Sequence, residues 1–263
     1  MEGMEKETTT VEIHGKICHI YKSGSRGCHE NSASRKSRRL LLFYWGIDRR
    51  NVNPVMTVVS FLESRLKERM MCAGFILVAY ESGNWNDDYS PWKAQAVFGN
   101  EGFGGNADKT LEWLTDKCIP YIESEDSVYM EDAKEVYRFT VGYSLAGLFS
   151  LWAYSRSRLF AGTVCCSGSL WYEGWLDYVE EYKAAFCTNR RGHIYLSLGN
   201  KEEKTKNQLM SAVGDNTRKM YALLSEEQEN ITAILEWNAG GHFSEPDIRI
   251  AKGIYWILQC FVV

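Results

Sequence analysis

A doubly wound α/β fold, with a mostly parallel central sheet and helices on both faces, is what this sequence predicts. Three observations point there. Near-continuous apolar runs such as Leu40-Leu-Leu-Phe-Tyr-Trp45 read as strands covered on both sides. Such runs alternate with segments of helical period along most of the chain. Residues 136–153 pass from a β-branched and aromatic run into an apolar helix through one sharp turn, Gly142-Tyr143-Ser144-Leu145-Ala146-Gly147.

Bulk properties narrow the field. At 263 residues the chain can bury a large core, and one domain over residues 1–263 is expected. Apolar residues make up 45% and charged residues 24%, the balance of an ordinary globular protein. A net charge of −4 gives no electrostatic case for nucleic acid or an anionic membrane as partner. No apolar run is long enough to span a bilayer. The opening Met1-Glu-Gly-Met-Glu-Lys-Glu7 lacks the apolar core of a signal peptide, so the cytoplasm is the expected compartment. Eight cysteines (18, 28, 72, 118, 165, 166, 187 and 260) are scattered without a C-x-x-C pair and read as reduced core thiols. The five histidines do not stand at ligand spacing with them, and neither a metal nor a cofactor is expected.

Taken in order, Thr8–His14 and Lys16–Tyr21 read as two strands joined at Gly15, an antiparallel hairpin at one sheet edge. Residues 22–39 are polar and carry Arg35-Lys36-Ser37-Arg38-Arg39. No aromatic or glycine cradle accompanies that cluster, so it reads as a solvated loop. Leu40–Trp45 is a central strand ended by the turn Gly46-Ile47-Asp48-Arg49-Arg50. A helix from Asn53-Pro54 to about Cys72 follows, with Val58, Phe61, Leu62 and Leu66 on one face. After a strand at Phe75–Tyr80, residues 81–106 form a long loop rich in glycine and tryptophan, the wall of a cleft. Within it Gly102-x-Gly104-x-x-Ala107 formally matches a dinucleotide fingerprint. It follows an irregular loop in mid-chain, so it reads as turn glycines before a helix from Asn106 to Ile122, with Leu111, Leu114 and Cys118 inward. Further strands are expected at Gly162–Cys166, His193–Gly199 and Ile231–Trp237, with residues 167–190 supplying a second cleft loop. A helix bearing Met220, Leu223 and Leu224 precedes the final strand. Ser244 and Asp247 read as the capping box of a last helix burying Ile250, Ile254, Ile257 and Phe261.

Chemistry collects at the carboxyl ends of the strands in such a sheet. The turn at Ser144 is a nucleophile elbow. Its serine sits in a strained conformation, and the residues two positions either side must be small, as Gly142 and Ala146 are. A serine needs an imidazole to take its proton and a carboxylate to orient that imidazole. His242, freed by Gly240-Gly241, is the candidate base. Glu202, three residues past Gly199, is the candidate acid, with the adjacent Glu203 as its alternative. The order serine, acid, histidine is that of an α/β-hydrolase. An oxyanion would need two backbone N–H donors: Leu145, and Ile47 or Asp48 after the Leu40–Trp45 strand.

Gly142-Tyr-Ser-Leu-Ala-Gly-Leu-Phe149, Asn84-Trp-Asn-Asp-Asp88 with Ser90-Pro-Trp92, Phe103-Gly-Gly-Asn-Ala-Asp108 and Ser167-Gly-Ser-Leu-Trp171 together resemble the putative-esterase family of α/β-hydrolases. That family includes esterase D, enterobactin-type siderophore esterases and feruloyl esterases. The resemblance runs from about residue 40 to the C-terminus. It implies the α/β-hydrolase fold, Ser144 as nucleophile, His242 as base, an acid in the loop at Glu202, and an acyl-enzyme opened by water. Two positions depart from the pattern: Ala146 replaces a glycine, and Asn200 stands where an acid next to the strand is expected. If that neighbouring position supplies the family's acid, the site is a serine–histidine dyad.

The expectation is therefore a cytoplasmic serine carboxylesterase acting on a small-molecule ester, with Trp85, Trp92 and Trp171 as a broad aromatic substrate cleft. A homodimer is the assembly left open. The alternatives are a narrow-specificity siderophore, feruloyl or carbohydrate esterase and, from another class, a catalytically silent binding protein on the same fold.

Overall fold

The computed structural model describes residues 8–23, 39–49, 54–69, 74–97, 99–125, 130, 133–187, 191–226 and 230–261. Its strands are β1 (Thr8–Ile13), β2 (Lys16–Lys22), β3 (Arg39–Asp48), β4 (Gly74–Ser82), β5 (Lys93–Ala94), β6 (Phe103–Gly104), β7 (Glu135–Tyr143), β8 (Phe160–Cys166), β9 (Gly192–Gly199) and β10 (Ile231–Asn238). Eight of them form one sheet in the order β1-β2-β4-β3-β7-β8-β9-β10, and β5 and β6 make a separate ribbon. The β1–β2 hairpin lies at one edge, with β2 antiparallel to β4, and every pair from β4 to β10 is parallel. This is the α/β-hydrolase fold with its antiparallel hairpin at one edge.

Alternation along each strand splits the core into two layers. Leu40, Leu42 and Tyr44 face one layer with Ile76, Val78 and Tyr80, under the helices Ser144–Arg156 and Ala107–Glu125. Leu41, Phe43 and Trp45 face the other with Phe75, Leu77, Phe139 and Val141, under the helices Pro54–Glu68 and Pro246–Phe261. Strands buried on both faces cannot alternate with polar residues, which is why they read as unbroken apolar runs.

Several boundaries differ from expectation. β3 does not turn at Gly46. It continues to Asp48, because β4 runs alongside it to the register Asp48↔Ser82. β7 leaves β3 at Trp45↔Val141, so residues 46–48 have β4 on one side and the site on the other. The helix expected over 106–122 contains a π turn at Leu114–Cys118, with the Ile119 N–H reaching the carbonyl of Leu114. Pro120 explains it: the residue lacks an N–H and its ring clashes with a carbonyl four back, which the wider turn relieves. Leu111 is only half-buried, while Trp113, Leu114, Cys118 and Ile122 go inward. Ser244 does not cap the last helix. Pro246 takes its first position, Glu245 precedes it at φ 51°, and the Ser244 hydroxyl instead accepts the Gly241 N–H at 3.1 Å.

The basic cluster at 35–38 lies outside the described residues, as do Cys28 and Cys72. Cys18, Cys118, Cys165 and Cys166 are buried free thiols. Among the described residues no helix is long and apolar enough to cross a membrane. No group of three His, Cys, Asp or Glu side chains there is close enough to hold a metal.

Candidate active site

The elbow is built by backbone constraint. Ser144 has φ 56°, a region that L-residues other than glycine seldom enter, directly after extended Tyr143 and at the start of its helix. Gly142 is obligatory, since a Cβ there would overlap the Ala146 carbonyl. A Cβ at Gly147 would crowd Gly168 Cα and the Cys166 carbonyl, so its absence lets the helix pack close to β8. The Ser169 N–H donates to the Ser144 carbonyl at 3.0 Å and pins the turn from the next strand.

His242 and Glu202 converge on that serine. His242 Nε2 lies 3.0 Å from Ser144 Oγ, and Nδ1 lies 2.7 Å from Glu202 Oε2. Glu202 stands in a short 3₁₀ turn (Glu202–Lys204) just after β9, with its carboxylate buried. Its other oxygen, Oε1, accepts from Ser167 Oγ (2.7 Å), the Gly199 N–H (2.7 Å) and Arg249 Nη1 (2.9 Å). Burial opposes ionisation of Glu202. The hydrogen bond and charge of His242, with the Ser167 and Gly199 donors, outweigh it and hold the carboxyl below the ordinary carboxylate value. Glu203 points elsewhere and pairs with Arg218 at 3.0 Å. Asn200, which stands where an acid was expected, accepts the Gly240 N–H at 3.1 Å and so braces the histidine loop.

The serine opens into a cleft of about 1000 Å³. Trp85, Phe103, Trp171, Met210 and Phe243 give it apolar walls, and Asp48, Arg49 and Glu101 charge its rim. Ile47 and Leu145 line it too, close to where an oxyanion would form. Asn84 holds Trp85 in place by capping the four-residue helix Trp85–Asp88, accepting from the N–H groups of Asn86 and Asp87. Asp88 ties that helix to β2 through Lys16 at 3.1 Å. Trp92 is not among the lining residues. Its indole N–H donates to the Glu173 carbonyl at 2.8 Å and its ring packs on Tyr172 and Tyr178, behind the cleft wall. Gly102 and Gly104 belong to the ribbon and its approach, and Gly105 at φ 73° makes the turn into the helix at Ala107.

Residues 47–242 match the family model "Esterase", described as "Putative esterase". The chain belongs to that family. It is a carboxylic ester hydrolase. The esterase is 27% identical over 204 residues to the uncharacterized protein YbbA of Bacillus subtilis (strain 168), covering 76% of this chain and 79% of that one. Among solved structures it resembles an IroE-like serine hydrolase from Shewanella oneidensis (16% identity, 98% and 82% of the two chains, TM-score 0.75). It also resembles the siderophore hydrolase EstA from Aspergillus nidulans (17% identity, 93% and 90%, TM-score 0.70). At such identities these two likenesses speak for the fold.

Sequence reading of the esterase singled out Ser144, Glu202 and His242, which the fold brings together. It missed Arg249, Tyr143, Ser167 and Ser169, whose side chains bond to the triad candidates or their loops. Tyr143 stands inside Gly142–Phe149 and the two serines inside Ser167–Trp171, so adjacency is a usable signal. Arg249 stands one position off the Ile250–Ile254–Ile257 stripe, and helical period alone carries no signal that its side chain is buried.

Proposed function

We propose that the esterase hydrolyses its ester through an acyl-enzyme, with Ser144 as nucleophile, His242 as general base and then acid, and Glu202 as the acid orienting the imidazole. The carrying observation is the unbroken relay from Ser144 Oγ through His242 (3.0 Å) to Glu202 (2.7 Å), on a serine held at φ 56°. His242 takes the hydroxyl proton as Oγ attacks the ester carbonyl, and returns it to the departing alkoxide. A water then repeats the cycle on the acyl group. The Leu145 N–H, at the start of its helix, and the Ile47 N–H, on the part of β3 that β7 leaves open, are the donors for the oxyanion. Replacing Ser144 with alanine should lower p-nitrophenyl acetate turnover by about 10³-fold or more and abolish labelling by a fluorophosphonate probe. An unlabelled but folded wild-type chain would overturn Ser144 as the nucleophile.

The cleft is far larger than an acetyl group requires, and its walls are aromatic. That favours, as a second reading, a specialist for bulky aromatic esters. Neighbours whose names are siderophore hydrolase and ferulic acid esterase agree with it. A panel decides: fast acetyl and butyryl ester turnover marks a general carboxylesterase, and activity confined to catecholate or ferulate esters marks the specialist. The reduced-thiol pattern suits a cytoplasmic enzyme.

A further inference from the structure

One arginine joins the ends of the four neighbouring strands β7 to β10. Arg249 lies near the start of the helix Pro246–Phe261 and is 1% exposed. The two hydrogens of its Nη1 are shared among Tyr143 Oη (3.2 Å), Ser167 Oγ (2.9 Å) and Glu202 Oε1 (2.9 Å). Its Nη2 donates to the carbonyls of Ala239 (3.2 Å) and Gly241 (3.0 Å). These partners stand at the carboxyl ends of β7, β8, β9 and β10 in turn.

The bonds have a consistent direction. Tyr143 accepts from Arg249 and donates its own hydroxyl hydrogen bond to the His242 carbonyl at 2.6 Å. Ser167 accepts from Arg249 and donates to Glu202 Oε1 at 2.7 Å. With the Gly199 N–H, Oε1 thereby receives three donors, which leaves Oε2 to face His242 Nδ1. Gly199 must lack a side chain, because a Cβ would press on Arg249 Nη2, Glu202 Oε1 and the Gly240 carbonyl together. A buried ion pair taken alone is weak evidence for a stabilising role. Here every acceptor of the guanidinium is a member of the relay, lies within three residues of one in the chain or, as Ser167 does, hydrogen-bonds to one.

We infer that Arg249 is a positioning residue for the Ser144–His242–Glu202 relay, fixing which carboxylate oxygen meets the imidazole and how high the 239–242 loop stands above the sheet. The inference rests on the function proposed above. A planar fork is needed, since a lysine ammonium supplies charge but cannot span the carboxylate and two carbonyls in one plane.

The test compares full-length wild type with Arg249→Met, Arg249→Lys and Tyr143→Phe, each scored per active site titrated with a fluorophosphonate. Arg249→Met should lower kcat about 100-fold with KM for p-nitrophenyl butyrate within twofold. Arg249→Lys should restore about a tenth of the wild-type kcat. Tyr143→Phe, which deletes the hydroxyl that links Arg249 to the His242 carbonyl and leaves the other guanidinium bonds in place, should lower kcat several-fold without a comparable loss in melting temperature. The downfield proton resonance of the His242–Glu202 hydrogen bond should weaken in the same order. Wild-type kcat per titrated site in the variants that fold, or a loss carried by KM alone, would overturn the positioning role while labelling of wild type upholds the nucleophile. If Arg249→Met does not fold, Arg249→Lys and Tyr143→Phe decide the matter. Wild type that neither labels nor turns over would overturn both readings.

Discussion

Ser144 carries strain that its activity requires. A non-glycine residue at φ 56° costs about 1 kcal/mol, so Ser144→Gly should unfold at higher denaturant than Ser144→Ala by about that amount, both being inactive. Urea titration of the pair measures it. Glu202 gives a pH signature. Its carboxyl is held below the ordinary value near 4.5, so its contribution to stability is whole above that pH and is lost as pH falls through the depressed folded value. Glu202→Gln leaves the buried Arg249 without its carboxylate and should cost about 3–5 kcal/mol at pH 7. The melting-temperature gap to wild type should then close as pH drops below about 4.5. Local chemistry made Ser144, Glu202 and His242 legible: an elbow with small neighbours, a carboxylate beyond a strand, a histidine after two glycines. Arg249 was illegible, because its side-chain partners lie 106, 82 and 47 positions away. Only strand order makes them neighbours.

At the scale of elements, apolar runs located the strands but not where they stop. β3 outlasts its own hydrophobic run because β4 continues to pair with it, and the register of a neighbour is not written in the strand itself. Ser244 and Asp247 had the spacing of a capping box. Pro246 set the first helical position and overrode it. The π turn at Leu114–Cys118 had a signal in Pro120, which a uniform period of 3.6 cannot accommodate. The elbow is the least forgiving element. Gly142→Ala would drive a methyl into the Ala146 carbonyl, so we expect a loss above about 3 kcal/mol, seen as reduced soluble yield and a depressed melt, with turnover falling in step.

Across the whole molecule, two apolar layers on one sheet both reach the site, Leu145, Phe103 and Trp171 from one and Trp45, Ile47 and Ile250 from the other. Leu151→Ala on the buried face of the elbow helix should cost about 2–5 kcal/mol while leaving kcat per titrated site unchanged. Calorimetry paired with active-site titration separates the two effects. We propose that the chain is one domain, for which a single calorimetric transition is the expected result. The class of fold was readable because parallel strands leave long apolar runs; that β2 docks on β4 rather than β3 was not, since a hairpin declares an edge without naming its neighbour. The cleft mouth has a consequence for the fate of the acyl group. The His242 side chain keeps 27% of its surface in solvent, and Phe243 beside it is 91% exposed. A base so wetted cannot choose among small hydroxylic nucleophiles. Methanol added to the assay should divert product to methyl ester in proportion to its concentration, and only the abundance of bulk solvent makes hydrolysis prevail.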